Sequence, residues 1–261
     1  MPATAVFITS PSLTGTTMLS LILGSLPNAF NCGEPAYLFH DKWKNLDVAW
    51  KDTRQNFADR SFWSEIQAEG FDDFFPAIHN RTGANLIIDS SNEQWAKFAL
   101  PQHKILTKSN LLVKDILIWK TPLEQAYSYH KRGRDVLEWF DNRWLTRMEL
   151  FFANVKDPLI IRYRDVAVES DSILSQICDA LNTTYDPEIK KFWLKRQPCL
   201  WGNKNVIKEL HEAWVTGVHP RGGIIYDDGW KQLPSELKQK IRNRNDINEW
   251  TDKLDALSLK P

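Results

Sequence analysis

Four short runs along the chain stay apolar almost to their last residues: Val6–Thr9, Leu86–Asp89, Ile116–Trp119 and Leu159–Tyr163. Unbroken apolar runs of this length, without polar alternation, predict strands buried on both faces. Each ends in polar residues and leads, directly or after a turn, into a helical pattern, as in the apolar spacing from Met18 to Leu26. This alternation predicts a three-layer α/β fold, a central parallel sheet with helices on both faces. Ligands of such sheets sit at the carboxyl ends of the strands. The polar ends "TSPSLTGTT", "DSSNEQW", "WKTPLEQAYS" and "RYRDVAVES" are therefore expected to converge. Between the first two strands, residues 37–81 have helical periodicity and many aromatics, in "YLFHDKW" and "FDDFFPAIH". They predict a helical insertion that either covers the sheet's mouth as an acceptor pocket or packs its own subdomain. The chain after Pro198 reads as loop-rich, and becomes helical again near Pro234.

Composition narrows the partners. The 261 residues suit one domain spanning 1–261, and 33 basic against 33 acidic residues leave no formal net charge. That argues against a broad nucleic-acid-binding face. Cys32, Cys178 and Cys199 have no metal-ligand spacing, which predicts reduced thiols in a reducing compartment. The first strand begins so early that no signal peptide is expected, and no apolar run is long enough to span a bilayer. The expectation is a soluble cytoplasmic protein that binds neither membrane nor nucleic acid. The sequons at Asn80 and Asn182 then read as chance matches.

The chemistry begins with Ser12, Leu13, Thr14, Gly15, Thr16 and Thr17, between the first strand and the first helix. A strand, a small-residue turn and a helix N-terminus aim several backbone N–H groups at one spot, where the helix dipole adds roughly half a positive charge. An anion is favoured there, yet the turn holds no Lys or Arg. It also lacks the Gly-Lys that a nucleoside triphosphatase loop needs. No metal cluster, Gly-x-Ser-x-Gly elbow or Gly-x-Gly-x-x-Gly fingerprint is present. Further on, Lys120 ends a strand, Pro122 opens a helix, and Ser128 follows Lys120 by eight residues, about two helical turns.

With the loop, this pair resembles the PAPS-dependent sulfotransferase family. "GEPAYLF" resembles the Gly-Glu-Pro segment of bacterial and Golgi-type members, and "LIIDSSN" resembles their Asp-Ser-Ser-Lys stretch. "LIIRYRDV" and "RGGIIYDDGWKQLP" resemble a later strand and the C-terminal Arg…Gly…Asp…Trp region, so the likeness runs from about Val6 to Pro234. It implies a P-loop-like fold and transfer of a sulfuryl group from PAPS to a hydroxyl or amine of a small molecule, releasing 3′,5′-ADP without a metal. The loop, Ser12 to Thr17, would cradle the 5′-phosphosulfate. Lys120, Ser128, Arg221 and the Gly222–Gly223 backbone would hold the 3′-phosphate, and Glu34 would be the base, with His40 and His103 as rivals. Trp201 and Trp230 read either as pocket walls or as core. Asp89 reads as a structural acceptor for loop hydroxyls.

The departures matter as much. Leu13 stands where the family's loop has Lys or Arg, Asn92 where it has Lys, Lys120 where it has Arg, and Arg164 where it has Glu. A working enzyme then needs another cation at the bridging oxygen, with Lys44, Lys97, Lys108 and Lys114 as candidates. Aromatics in the insertion, with Asp41, Asp47, Asp72 and Asp73 nearby in sequence, suit a cationic natural product such as a saxitoxin-type alkaloid. Two alternatives stay open: a protein that binds 3′,5′-ADP or PAPS with impaired catalysis, and an ATP-dependent phosphotransferase.

Overall fold

The computed structural model describes residues 2–39, 59–92, 94–200 and 202–261. In chain order it begins with β1 (Thr4–Thr9), α1 (Thr16–Leu23) and β2 (Ala29–Gly33), then α2 (Arg60–Glu69), α3 (Phe74–Thr82), β3 (Leu86–Asp89) and α4 (Trp95–Leu106). β4 (Leu112–Trp119), α5 (Pro122–His130), α6 (Val136–Trp139), α7 (Leu145–Asn154) and β5 (Leu159–Arg162) follow. After β5 come the helices α8 (Tyr163–Val168), α9 (Ser170–Ala180), α10 (Lys204–Thr216), α11 (Ser235–Arg242) and α12 (Asn245–Leu257), joined by irregular segments.

The five strands form one parallel sheet in the order β2-β3-β1-β4-β5. β1 is central, with Thr4 in register with both Leu86 and Leu112. From β1 the chain runs to the edge at β2, returns through β3, and then crosses to β4 and β5. Strand order therefore reverses between β1 and β4, and the crevice beyond their carboxyl ends is where such sheets bind ligands. Each edge carries one added bridge from the C-terminal half, Leu200 beside Gly33 and Ser258 beside Ile160.

Alternation along β1 divides the core. Ala5 and Phe7 face one side with Ile87, Leu117 and Trp119, where Trp63, Phe74, Phe98 and Phe151 fill the layer below α2, α3, α4 and α7. Val6 and Ile8 face the other with Ile88, Ile116 and Ile161, packed by α1 and by Ile173 and Ile177 of α9. Both faces are covered, which is why these strands read as apolar runs.

Two expectations change, and one open alternative is favoured at particular residues. An edge strand, β2, stands between α1 and Glu34, where the apolar pattern predicts none. The stretch after Pro198 contains the 13-residue helix α10, ended by Gly217 in the left-handed region at φ 74°. The insertion's Phe74 and Phe75 are fully buried, with Phe75 packed edge-on against Phe7 of β1, so these rings are core and not a lid. His40, Asp41, Lys44, Asp47 and Trp201 lie outside the described residues.

Candidate active site

The loop after β1 makes its tight turn with two residues in the left-handed region, Leu13 at φ 71° and Gly15 at φ 106°. Left-handed residues in a turn of this kind favour a concavity of backbone N–H groups suited to an anion. The carbonyls opposite are tied down. Gln125 Nε2 donates to Ser12 O at 2.5 Å, and Lys120 Nζ donates to Leu13 O at 3.1 Å. Asn92 holds the loop's base, accepting from Ser10 N at 3.0 Å and donating to Ser10 Oγ at 3.1 Å. Asn92 thus serves as a clamp on the loop. α1 starts from Gly15 with no side-chain cap and no acidic residue in its first turn, which leaves the positive end of its dipole directed at the cradle.

Gly15 is required sterically. A Cβ there would lie 2.7 Å from the Tyr163 ring. Tyr163 Oη donates to Ile225 O at 2.7 Å, which fixes the ring over the loop. Lys120 Nζ sits 4.5 Å from that ring's centre and 3.4 Å from Ser128 Oγ. Burial lowers the Lys120 pKa to about 8, with the Glu124 carboxylate opposing the shift. The eight-residue spacing therefore does bring Lys120 and Ser128 together, with the ammonium turned towards the loop.

Gly-Glu-Pro is held by the Asp-Ser-Ser stretch. Ser90 donates to Gly33 O from both N, at 2.7 Å, and Oγ, at 2.8 Å, while Ser91 Oγ accepts from Ala36 N at 3.0 Å. Glu34 N donates to Leu200 O at 2.7 Å. Asp89 does not reach the loop hydroxyls. Its carboxylate accepts from Ser91 N at 2.8 Å, and burial raises its pKa to about 7 against the Ser91 hydrogen bonds.

These pieces line one cleft of about 440 Å³. Ser12, Leu13, Gly15, Thr16, Thr17, Glu34, Lys120, Ser128, Arg221 and Gly223 all face it. Thr14 does not line it; it is buried, and its hydroxyl donates to Pro11 O at 2.6 Å. Gly222, at φ 71°, turns the chain beside it. Arg221 enters paired with Glu209 Oε2, at 2.9 Å from Nε. His219 Nδ1 accepts from Arg221 N and Gly223 N at 3.3 Å, and burial lowers its pKa, keeping the ring neutral as an acceptor.

Several lining residues escaped sequence reasoning. Lys131 pairs with Asp227 at 3.3 Å, and Arg132 Nη1 donates to Ser128 O at 2.7 Å. The signal was the "HKR" run directly after the Ser128 helix. Tyr127, Tyr163 and His219 had no comparable signal. Lys97, Lys108, Lys114 and His103 do not line the cleft, and His103 packs against Phe7 with Nε2 3.1 Å from Asp115. Trp230 borders a separate cavity.

No family model matches the chain, and no curated protein matches it. Solved structures do. The sulfotransferase domain from the curacin biosynthetic pathway superposes with a TM-score of 0.59 at 16% identity, covering 100% of this chain and 99% of that one. The sulfotransferase domain from the Synechococcus PCC 7002 olefin synthase gives 0.59 at 18% identity, covering 91% and 95%. A retinol dehydratase in complex with androsterone and the inactive cofactor PAP gives 0.45 at 13% identity, covering 100% and 83%, too loose a superposition to bear on the site. The protein has the sulfotransferase fold.

Proposed function

We propose that the protein transfers a sulfuryl group from PAPS to a hydroxyl or amine of a small molecule. The observation that carries this reading is the meeting of an N–H cradle, an uncapped helix and the Lys120 ammonium at the strand-order reversal between β1 and β4. Ser12, Leu13, Gly15, Thr16 and Thr17 would hold the 5′-phosphosulfate, with Thr14 packed behind them. Ser128, Arg132, Arg221 and the Gly222–Gly223 backbone would hold the 3′-phosphate.

Lys120, expected at the 3′-phosphate, is assigned here to the bridging oxygen as the cation missing at Leu13, because its Nζ lies against the Leu13 carbonyl. In the in-line step the acceptor oxygen or nitrogen bonds to sulfur as the bridging S–O bond breaks. The acceptor proton passes to Glu34, and the electron pair leaves on the 5′-phosphate of 3′,5′-ADP. Lys120 and the loop N–H groups stabilise that growing charge, the kind of interaction whose loss commonly costs about 10²–10³ in rate.

The two neighbouring domains, from the curacin pathway and an olefin synthase, support a role in tailoring small natural products. A cationic acceptor of the saxitoxin type draws on the insertion's aromatics, with acidic residues near them in sequence. Asp72 and Asp73 precede α3 and do not line the cleft, and Asp41 and Asp47 lie outside the described residues. The three cysteines are free and buried, which supports a reducing, cytoplasmic setting. No described helix is long and apolar enough to cross a membrane.

A thermal-shift titration tests the reading. 3′,5′-ADP at about a hundred times its dissociation constant is expected to add roughly 2.7 kcal/mol of stability, less in Lys120→Ala and Ser128→Ala. No shift, or a shift only with ATP and Mg²⁺, would sink it in favour of a phosphotransferase. Binding without turnover of any acceptor would favour the impaired-catalysis alternative, which Leu13 motivates.

A further inference from the structure

A second cavity, of about 390 Å³, opens behind the donor cleft, between the start of α5, the end of β5, the 226–230 segment, α11 and α12. Three arginines line it: Arg162, Arg164 and Arg242. Glu124 is the carboxylate that lines it among the described residues, and Glu124 is already engaged. It accepts from Thr121 N at 2.8 Å, in the capping box that starts α5, and from Tyr226 Oη at 2.5 Å.

The arginines are only partly matched. Arg164 has Asp165 at 3.6 Å and lies 5.9 Å from the Tyr226 ring centre. Arg162 lies 5.7 Å from the Trp119 ring centre, and its Nε is buried without a hydrogen-bond partner among the described residues. Three guanidinium groups against one already engaged carboxylate leave the lining net positive, with Arg162 half-buried and Arg164 and Arg242 open to solvent. The remaining walls are flat or apolar: Tyr226, Trp230, Pro122 and Ile241. The volume falls within the usual range for a small organic ligand.

We propose that this cavity binds a small organic oxyanion, its charged head on the arginines and a flat apolar body against Tyr226 and Trp230. The site is separate from the donor cleft, and its existence does not depend on the sulfotransferase reading. Tyr226 and Glu124 line both cavities, so the two share a wall.

Calorimetric titration of the full chain with naphthalene-2-carboxylate, against 2-naphthylmethylamine as its cationic counterpart, tests the proposal. The carboxylate is expected to bind and the amine not. Arg242→Gln and Arg164→Gln, neither of which lines the donor cleft, are each expected to weaken carboxylate binding about tenfold, the size of a lost charge-assisted hydrogen bond. Arg242 is exposed, so its replacement leaves the fold intact, as thermal melting would verify. Absence of carboxylate binding, equal binding of the amine, or unchanged affinity in both variants would overturn the proposal. None of these outcomes bears on 3′,5′-ADP binding.

Discussion

Two residues show how narrowly the loop is specified. Gly15 combines φ 106° with a ring 2.7 Å from where a Cβ would stand. Gly15→Ala therefore carries backbone strain of roughly 1–3 kcal/mol and must also push Tyr163 off the loop. It is expected to lower the melting temperature and abolish 3′,5′-ADP binding, and a variant that binds normally would show that the cradle does not hold the phosphate. Lys120 makes a different prediction, through its charge. With a pKa of about 8 it is an ammonium below that pH and neutral above it. The phosphate groups of 3′,5′-ADP are already ionised by pH 7, so they do not titrate in this window. Affinity measured from pH 7 to 9.5 is expected to fall as Lys120 loses its proton, with the midpoint moved up by the bound anion. Lys120→Arg stays charged throughout and should flatten the curve. A wild-type curve already flat would remove Lys120 from the site.

At the level of elements, the junction of β2, β3 and the 200 segment positions Glu34. A Cβ on Gly33, itself at φ 71°, would lie 2.0 Å from Leu200 O. Gly33→Ala must break that bridge, and is expected to cost about 2 kcal/mol or more, seen as a melting temperature lower by about 4–8 °C. An unchanged melting temperature would mean the bridge is dispensable. This junction also shows what was legible. The motif strings "GEP" and "DSS" were visible because their polar atoms serve each other, Ser90 and Ser91 holding Gly33 and Ala36. The strand before them was not. Its sequence, Ala-Phe-Asn-Cys-Gly, puts a buried polar residue in mid-strand, and Asn31 is satisfied there by Gly33 N, which donates to its Oδ1 at 2.9 Å, and by Gln197, 166 residues later, which accepts from its Nδ2 at 2.9 Å. Such a long-range partner leaves no local pattern. α10 was hidden for another reason: it follows the loop-like "WGNKN", whose Asn203 is in fact its N-cap, accepting from Asn205 N at 3.0 Å.

Across the whole molecule, the cleft is closed by residues far apart in sequence. The loop, Lys120 and Ser128 come from the first half, while Arg221, Gly223 and Tyr226 come from residues 217–228, which form neither helix nor strand. That segment is held to the sheet side by a few contacts: Tyr163 Oη to Ile225 O at 2.7 Å, Tyr226 Oη to Glu124 at 2.5 Å, and Lys131 to Asp227 at 3.3 Å. Its other anchors, the Arg221–Glu209 pair and His219 packed on Phe192 and Trp193, are also side-chain contacts rather than helix or strand hydrogen bonds, so its amides are expected to exchange more readily than those of the sheet. If Arg221 and the Gly222–Gly223 backbone bind the 3′-phosphate, the ligand adds a further anchor. Hydrogen exchange followed by mass spectrometry is therefore expected to show protection of residues 217–228 with 3′,5′-ADP, and much less with 5′-AMP, which lacks the 3′-phosphate. Both nucleotides should protect residues 10–17, because both carry the 5′-phosphate. Protection of the loop by both, with no difference between them at 217–228, would keep the donor cradle and remove the C-terminal segment from the site.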